Sequence, residues 1–287
     1  MAEDDATVQE GFVFAASGAA YLPLTIRAAE SIRRHHADHP IDLFTDQPCD
    51  APVFSKVHRL EAASFRPKFE ALQRSRFGRT LCLDADIICT ASMADVFELL
   101  HRFDIAAAHE PNRNADWAIQ MFRTPVPPAF PQVNSGVIGC RASEQTRGFF
   151  ADLSSTLRDS GLNRDQPILR ELLYASGLRL AILPPEYNLM EIDVLEAQGR
   201  RNTAPRLLHA PRLHKHLRTT RRRRELRTVT ELCGSRITRH IDRMIAADRT
   251  LGNSGRARPL LSRGLLGLVR FFVNDIPRGV RRLLARY

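Results

Sequence analysis

The sequence predicts an α/β protein built on a mixed, mainly parallel β-sheet that helices cover on both faces. First, short apolar segments alternate with segments of helical periodicity over the first two hundred residues, which is the rhythm of βαβ units. Second, the strand-like segments are almost continuously apolar, as strands buried on both faces are. Third, 287 residues are enough for one large core or two modest ones.

The elements of the first half follow in chain order. A strand, GFVFAAS, precedes a helix whose apolar residues recur every three or four positions. Two strands and a short helix opened by Pro67 come next. A buried strand ending at Asp84, a helix and another strand complete this half. The predicted segments are 11–17, 22–36, 40–45, 56–61, 67–75, 79–84, 93–102 and 103–110.

The second half begins with a long Pro-rich loop between Glu110 and Val133, which carries the only tryptophan. Loops of this length in compact domains are often lids or binding loops. A strand starts at Asn134, and of the two helices that follow, the second opens at Asp165, a residue type that caps helices. Two short strands and a further helix precede the tail. The predicted segments are 134–141, 143–160, 165–176, 178–188, 205–212 and 228–247.

Charge is distributed unevenly along the chain. Residues 200–287 contain 23 Lys+Arg against 5 Asp+Glu, whereas the preceding residues contain 19 against 27. We therefore expect a globular domain over 1–217 and a basic, mainly helical extension over 218–287.

In the tail, residues 257–287, apolar residues recur every three or four positions and arginines lie between them. This pattern is typical of a helix on an anionic membrane surface. A helix packed on the protein body is the alternative, and nucleic-acid binding is less expected because few aromatic residues accompany the arginines.

Five scattered cysteines without a C-x-x-C pair indicate a reducing compartment and structural thiols. The acidic start, MAEDDATVQE, excludes an ordinary secretory signal. No apolar stretch approaches the roughly 20 residues that a membrane-spanning helix needs. We expect a cytoplasmic protein that can attach peripherally to the inner face of the cell membrane through its tail.

The stretch TLCLDADIICT places Asp84 and Asp86 inside an apolar run. In an extended segment, side chains two positions apart point to the same face, so these carboxylates converge. They follow a strand at the edge where open α/β sheets bind ligands. A divalent cation, magnesium or manganese, relieves the repulsion between them. The alternative is a helix cap plus a solvated aspartate in a turn.

The D-x-D triplet at a strand end resembles the metal-binding motif of GT-A-fold glycosyltransferases. More specifically, the chain resembles glycosyltransferase family 8, which contains glycogenin and bacterial lipopolysaccharide galactosyltransferases. Four further features match in order: a basic residue sixteen positions before Asp84, an N-S-G-V-I strand, a D-Q pair at a helix start, and an H-x5-K segment. They are Lys68, Asn134–Ile138, Asp165–Gln166, and His209 with Lys215. The resemblance covers residues 11–215.

The resemblance implies a metal-dependent hexosyltransferase that uses a nucleotide-sugar donor, expected to be a UDP-sugar, and a glycan or glycolipid acceptor, with retention of anomeric configuration. It implies manganese or magnesium held by Asp84, Asp86 and His209, and catalytic roles for Asp165 and Gln166 near the anomeric carbon. It also implies donor-binding roles, with Tyr21 stacking on uracil; the donor-binding residues are Ser17, Tyr21, Lys68, Asp84, Asn134, Ser135, Gly136 and Lys215. Asp165 as a nucleophile and front-face attack by the acceptor both remain open.

The sequence departs from the family pattern at Leu162, where an acidic residue is common, and at Arg212, where glycine is expected. The usual Pro-Trp after the lysine is His216-Leu217. Three other functions compete with the enzyme: a non-catalytic nucleotide-sugar-binding protein, a sugar-nucleotide pyrophosphorylase and a basic nucleic-acid-binding protein. The pyrophosphorylase is disfavoured because the segment after the first strand, AASGAAY, lacks the Lys/Arg-bearing glycine-rich loop of that class.

Overall fold

The computed structural model describes residues 9–61, 66–116, 118–211, 213 and 228–260. The chain divides into two compact units, one formed by Met1–Met190 and Pro205–Thr228, the other by Glu191–Ala204 and Val229–Tyr287. The first unit carries the sheet and the candidate site. The predicted division between residues 217 and 218 stays a prediction, because both residues lie outside the described ranges.

The described residues of the first unit form nine strands. They are β1 Glu10–Ala16, β2 Ile41–Thr45, β3 Lys56–Arg59, β4 Arg79–Leu83, β5 Ile87–Cys89, β6 Ile105–His109, β7 Val133–Arg141, β8 Leu180–Leu183 and β9 Leu207–His209. Seven form one sheet in the order β3-β2-β1-β4-β7-β6-β8, and β5 pairs with β9 in a small second sheet. In the large sheet only β7 runs antiparallel to its neighbours. The prediction of a mixed, mainly parallel sheet is confirmed.

Helices cover both faces of the large sheet. Those of the first unit are α1 Leu22–Arg33, α2 Lys68–Arg74, α3 Asp95–Leu99, α4 Glu144–Ser160 and α5 Gln166–Ala175. One core cluster joins the inward residues of α1 and α3 to the sheet, and a second joins those of α2, α4 and α5. Each fully buried phenylalanine or isoleucine in these clusters contributes about 1.5–3 kcal/mol of transfer free energy. Together the helices on the two faces of the sheet hold the strand ends in fixed positions.

The predicted helix over 228–247 is two helices, α6 Val229–Cys233 and α7 Ser235–Ala247. Gly234 separates them with φ +81° and ψ 157°, a conformation that is almost restricted to glycine. The second unit also contains the 3₁₀ helices Ile192–Ala197 and Arg249–Leu251. α7 packs its apolar stripe, Ile237, Ile241 and Met244, within this unit.

The loop between Glu110 and Val133 is anchored to α5 in its described part. Arg170 Nη2 donates to the carbonyl oxygens of Pro127 and Phe130 at 2.7 and 2.8 Å. Glu171 accepts from the backbone N–H of Arg123 at 2.8 Å. These bonds fix the second half of the loop on the helix that begins at Gln166. The tryptophan of the loop lies outside the described residues.

All five cysteines are free thiols, and burial raises the pKa of Cys89 and of Cys140 to about 12. Such thiols are almost entirely protonated at neutral pH and therefore unreactive. Among the described residues, no helix has both the length and the apolar character that crossing a bilayer requires.

Candidate functional site

Polar side chains gather where the strands of the large sheet end. β1, β4 and β6 run in the same direction, so the residues after them lie along one edge. Because β7 is antiparallel, its first residues meet the same edge. Asp84 follows β4, Glu110 follows β6, and Asn134 is the second residue of β7. This is the edge at which open α/β sheets bind ligands.

Asp84, Asp86 and His209 come together there, as predicted. Each offers one ligand atom, and these atoms lie within 4.8 Å of one another. Asp86 and His209 are buried, and the side chain of Asp84 is 27% exposed. Two carboxylates and an imidazole form a donor set that suits manganese or magnesium. The residues present therefore fit a divalent cation.

The aspartates converge in a different backbone conformation from the one expected. β4 ends at Leu83, and residues 84–86 form a turn into β5 rather than an extended segment. The backbone N–H of Asp84 donates to the carbonyl oxygen of Gly136 at 2.9 Å. That bond fixes the first aspartate to β7.

Pairing of β5 with β9 brings His209 to the aspartates, across more than a hundred residues of chain. Ile87 is the register partner of His209, and Ala210 N–H donates to Asp86 O at 2.9 Å. The Nε2 atom of His209 consequently lies 3.3 Å from Asp86 Oδ1. Burial by itself lowers the pKa of His209, but the negative charges of Asp86 and Asp84 outweigh it and hold that pKa above its ordinary value.

Two neighbours fix the orientation of the His209 ring. Nδ1 donates to Asn188 Oδ1 at 2.8 Å, which leaves Nε2 facing Asp86 and matches the way metal-binding histidines are held. Gly136 lies against the ring: a Cβ atom at this position would be 2.5 Å from His209 Cε1. The glycine of the N-S-G segment is therefore required by the imidazole beside it. No pattern in the sequence indicated a role for Asn188.

Lys68 is buried and pairs with the carboxylate of Asp84. Its Nζ also donates to Ser135 O at 3.0 Å. Burial lowers the pKa of Lys68, but the nearby charges of Asp84 and Asp165 outweigh this and raise it overall. The predicted basic residue is thus a fixed positive charge in the site rather than a solvated side chain.

Glu110, which was not among the predicted site residues, connects the second group of predicted residues. Its side chain is buried, and Oε2 accepts from Asn134 Nδ2 at 2.6 Å and from Gln166 Nε2 at 2.9 Å. Oε1 accepts from the backbone and side chain of Asn112, both at 3.0 Å. Asn134 Oδ1 accepts from Gly136 N at 2.9 Å. One carboxylate therefore orients both predicted amide side chains.

Asp165 occupies the N-cap position of α5, but its side chain makes no capping hydrogen bond. The capping prediction is wrong because the carboxylate turns inward, where Arg66 Nε donates to Oδ1 at 2.9 Å. Burial raises the pKa of Asp165, yet the charges of Lys68 and Arg66 outweigh it and hold the pKa below its ordinary value. The site thus contains a buried but ionised carboxylate.

Two further predicted residues that the structure describes, Ser17 and Tyr21, lie between β1 and α1. Ser17 Oγ donates to Asp46 Oδ2 at 2.7 Å, and Gly18 N donates to Oδ1 at 2.8 Å. The Gly18 N–H, with Gln47 and Ser17, lowers the pKa of Asp46. Tyr21 is half-buried at the start of α1. Lys215 lies outside the described residues.

No protein family profile and no curated protein sequence matches the chain, but solved structures do. GlyE, a glycosyltransferase of Streptococcus pneumoniae TIGR4, is 21% identical over 70% of this chain, with a TM-score of 0.50. This chain spans 54% of GlyE. The galactosyltransferase LgtC, in complex with donor and acceptor sugar analogues, is 16% identical over 82% of this chain and 95% of LgtC, with a TM-score of 0.54. The fold is therefore that of the GT-A glycosyltransferases, and among them it resembles family 8.

Proposed function

We propose that this protein is a divalent-cation-dependent glycosyltransferase. It moves a hexose from a nucleotide-diphospho-sugar, a UDP-sugar, to a saccharide or lipid-linked acceptor with retention of configuration. The observation that carries the proposal is the convergence of Asp84, Asp86 and His209 at the sheet edge. The GT-A fold supports it, since LgtC was crystallised with donor and acceptor sugar analogues.

The chemical task is departure of a nucleotide diphosphate from the anomeric carbon, as negative charge grows on the β-phosphate. Asp84, Asp86 and His209 Nε2 would hold manganese or magnesium. When bound, the cation supplies Lewis-acid stabilisation of the leaving diphosphate. Lys68 adds a fixed positive charge beside Asp84. Lys215 is the predicted second cation on the diphosphate.

The sugar would be positioned by Asn134 and Gln166, whose amides are held by Glu110. By fixing the orientation of the sugar, these side chains would favour displacement at the anomeric carbon. Retention by double displacement would use Asp165 as the nucleophile, and its carboxylate is ionised as that role demands. In front-face attack by the acceptor hydroxyl, Asp165 would only orient the sugar. Residual turnover in Asp165→Asn favours the second route, and a trapped glycosyl-enzyme favours the first.

Release of UDP from a panel of UDP-hexoses, with and without manganese, tests the proposal. We expect manganese-dependent release in the wild type, and a loss of at least about a hundredfold in Asp86→Asn because one cation ligand becomes a weaker donor. Asp152→Asn, on the exposed side of α4, is the control. Tight UDP-sugar binding with no release and no transfer would identify a non-catalytic binding protein instead. The anomeric coupling constant of the product, measured by NMR, reports retention.

The basic tail, residues 257–287, is proposed to attach the enzyme to an anionic membrane, on the cytoplasmic face, close to a lipid-linked acceptor. Sedimentation with anionic liposomes, compared between the chain with and without these residues, tests this. Equal sedimentation of both forms would contradict it. Salt-sensitive DNA binding without donor turnover would favour the nucleic-acid-binding alternative.

A further inference from the structure

Arg27, on α1, lies beneath the turn that carries the two aspartates. Its Nη2 donates to the carbonyl oxygen of Ala85, between Asp84 and Asp86, at 2.8 Å. The side chain is buried, and within the described part of the chain Nε and Nη1 have no hydrogen-bond partner. Burial lowers the pKa of Arg27 to about 10, opposed by the negative charge of Asp86. At neutral pH it remains a cation.

A buried guanidinium with two unpaired nitrogen atoms is unfavourable, so a compensating interaction has to come from nearby charge. The charge of Asp86 supplies it, just as the charge of Asp84 compensates Lys68. The two acids of the D-x-D turn therefore each have a positive charge built in beside them. These four side chains carry no net charge together.

This balance opposes binding of a free divalent cation. Carboxylate sites attract calcium, magnesium and manganese through negative charge that the protein leaves uncompensated. Here Lys68 and Arg27 offset the charge of Asp84 and Asp86, and these two fixed positive charges repel an incoming cation. A nucleoside diphosphate brings at least two negative charges of its own, which attract the cation and both basic side chains. When the diphosphate is bound, its negative charge compensates the two basic side chains and attracts the cation.

We infer that the charge of Arg27, with that of Lys68, makes the divalent cation and a nucleoside diphosphate bind this site together, each weakly alone. The inference rests on the proposed function, since both ligands have to bind this site. Linkage requires the effect to be reciprocal: the factor by which the diphosphate tightens cation binding equals the factor by which the cation tightens diphosphate binding.

Binding measurements on the whole 287-residue chain test the inference without any turnover. The signal of free aqueous Mn²⁺ in electron paramagnetic resonance reports manganese binding, with and without saturating UDP. Calorimetry reports UDP binding, with and without manganese. In the wild type we expect each ligand to tighten the other by the same factor, on the order of tenfold or more.

Arg27→Met removes the charge and keeps much of the apolar volume. We expect it to bind manganese alone about tenfold more tightly than the wild type, because one unit of repulsion is gone. The coupling factor should fall correspondingly. Arg27→Lys keeps the charge and should keep the weak binding of manganese alone. Arg102→Met, a substitution of an exposed arginine, is the matched control and should match the wild type.

Each outcome has a distinct meaning. Equal manganese affinity with and without UDP in the wild type would overturn the inference while leaving the proposed function intact. Unchanged affinity for manganese alone in folded Arg27→Met would also overturn it. If circular dichroism shows that this variant does not fold, Lys68→Met takes its place, and unchanged manganese affinity there has the same consequence. A wild type that binds neither ligand, alone or together, contradicts the proposed function itself.

Discussion

Replacing Gly136 with alanine tests the way His209 is held. The added Cβ would lie 2.5 Å from His209 Cε1, 2.8 Å from Nδ1 and 2.9 Å from Asn134 Oδ1. Ordinary carbon contacts are about 3.5–4.0 Å, so the imidazole has to move by about 1 Å. The hydrogen bond to Asn188 and the pairing of β9 with β5 both oppose that movement.

Overpacking of this kind destabilises proteins by about 1–3 kcal/mol. For a folded unit of roughly 200 residues, this corresponds to a decrease in Tm of about 2–12 °C. Displacement of the ring also moves Nε2 away from Asp86, and we expect manganese affinity in the presence of UDP to fall by about ten- to a hundredfold. Thermal unfolding and manganese titration measure the two effects separately.

Gly148→Ala is the matched control. Gly148 lies in α4, and a Cβ there would have nothing within 4 Å. Alanine in a helix interior is more favourable than glycine by about 0.5–1 kcal/mol, so this variant should melt slightly higher than the wild type and bind manganese normally. If Gly136→Ala behaved like Gly148→Ala in both assays, the imidazole would not lie against Gly136 and the proposed site geometry would be wrong.

Three further predictions follow from single contacts. Asn188→Leu removes the hydrogen bond that holds the imidazole of the proposed cation site, and manganese titration should show an affinity reduced about ten- to a hundredfold. Glu110→Gln turns an N–H toward two amide donors and should lower the free energy of unfolding in urea by about 1–3 kcal/mol, whereas the exposed Glu98→Gln should not. Arg179 holds the pKa of Asp104 at about 2, below the value of about 3.9 in unfolded chains. The resulting stability is present above about pH 4 and is lost as the pH falls toward 2. The Tm difference between the wild type and Asp104→Asn should therefore shrink over that range; a constant difference would rule out this linkage.

Most strands and helices of the first unit could be predicted because burial on both faces leaves a continuous apolar run in the sequence. β5 could not be separated from β4, since TLCLDADIICT is one apolar run interrupted only by the turn. The pairing of β5 with β9 joins residues 87–89 to 207–209, and no local pattern encodes so distant a contact. The break at Gly234 was missed because its neighbours keep helical periodicity on both sides.

The residues of the candidate site also fall into those that the sequence indicated and those that it did not. Asp84 and Asp86 were predictable because two acids in an apolar run conflict with burial unless a ligand or counter-charge compensates them. His209 was found only through its spacing to Lys215. Glu110 follows a parallel strand as Asp84 does, so the strand-end rule would have found it. Arg27 and Asn188 had no such indication, because an arginine in a helix and an asparagine in a turn are usually solvated.

The pairing of charges in the site connects stability to ligand binding. An unpaired buried charge is strongly destabilising, and the ion pairs Asp84–Lys68 and Asp165–Arg66 avoid this in the absence of ligand. By the proposed function, the same pairs would compete with the cation and the donor for the carboxylates. Removal of Lys68 should therefore lower the Tm and raise the affinity for manganese alone. If the Tm and the manganese affinity both decreased, Lys68 would support the site only by packing. Charge compensation would then not explain how this fold retains four acidic side chains at one sheet edge.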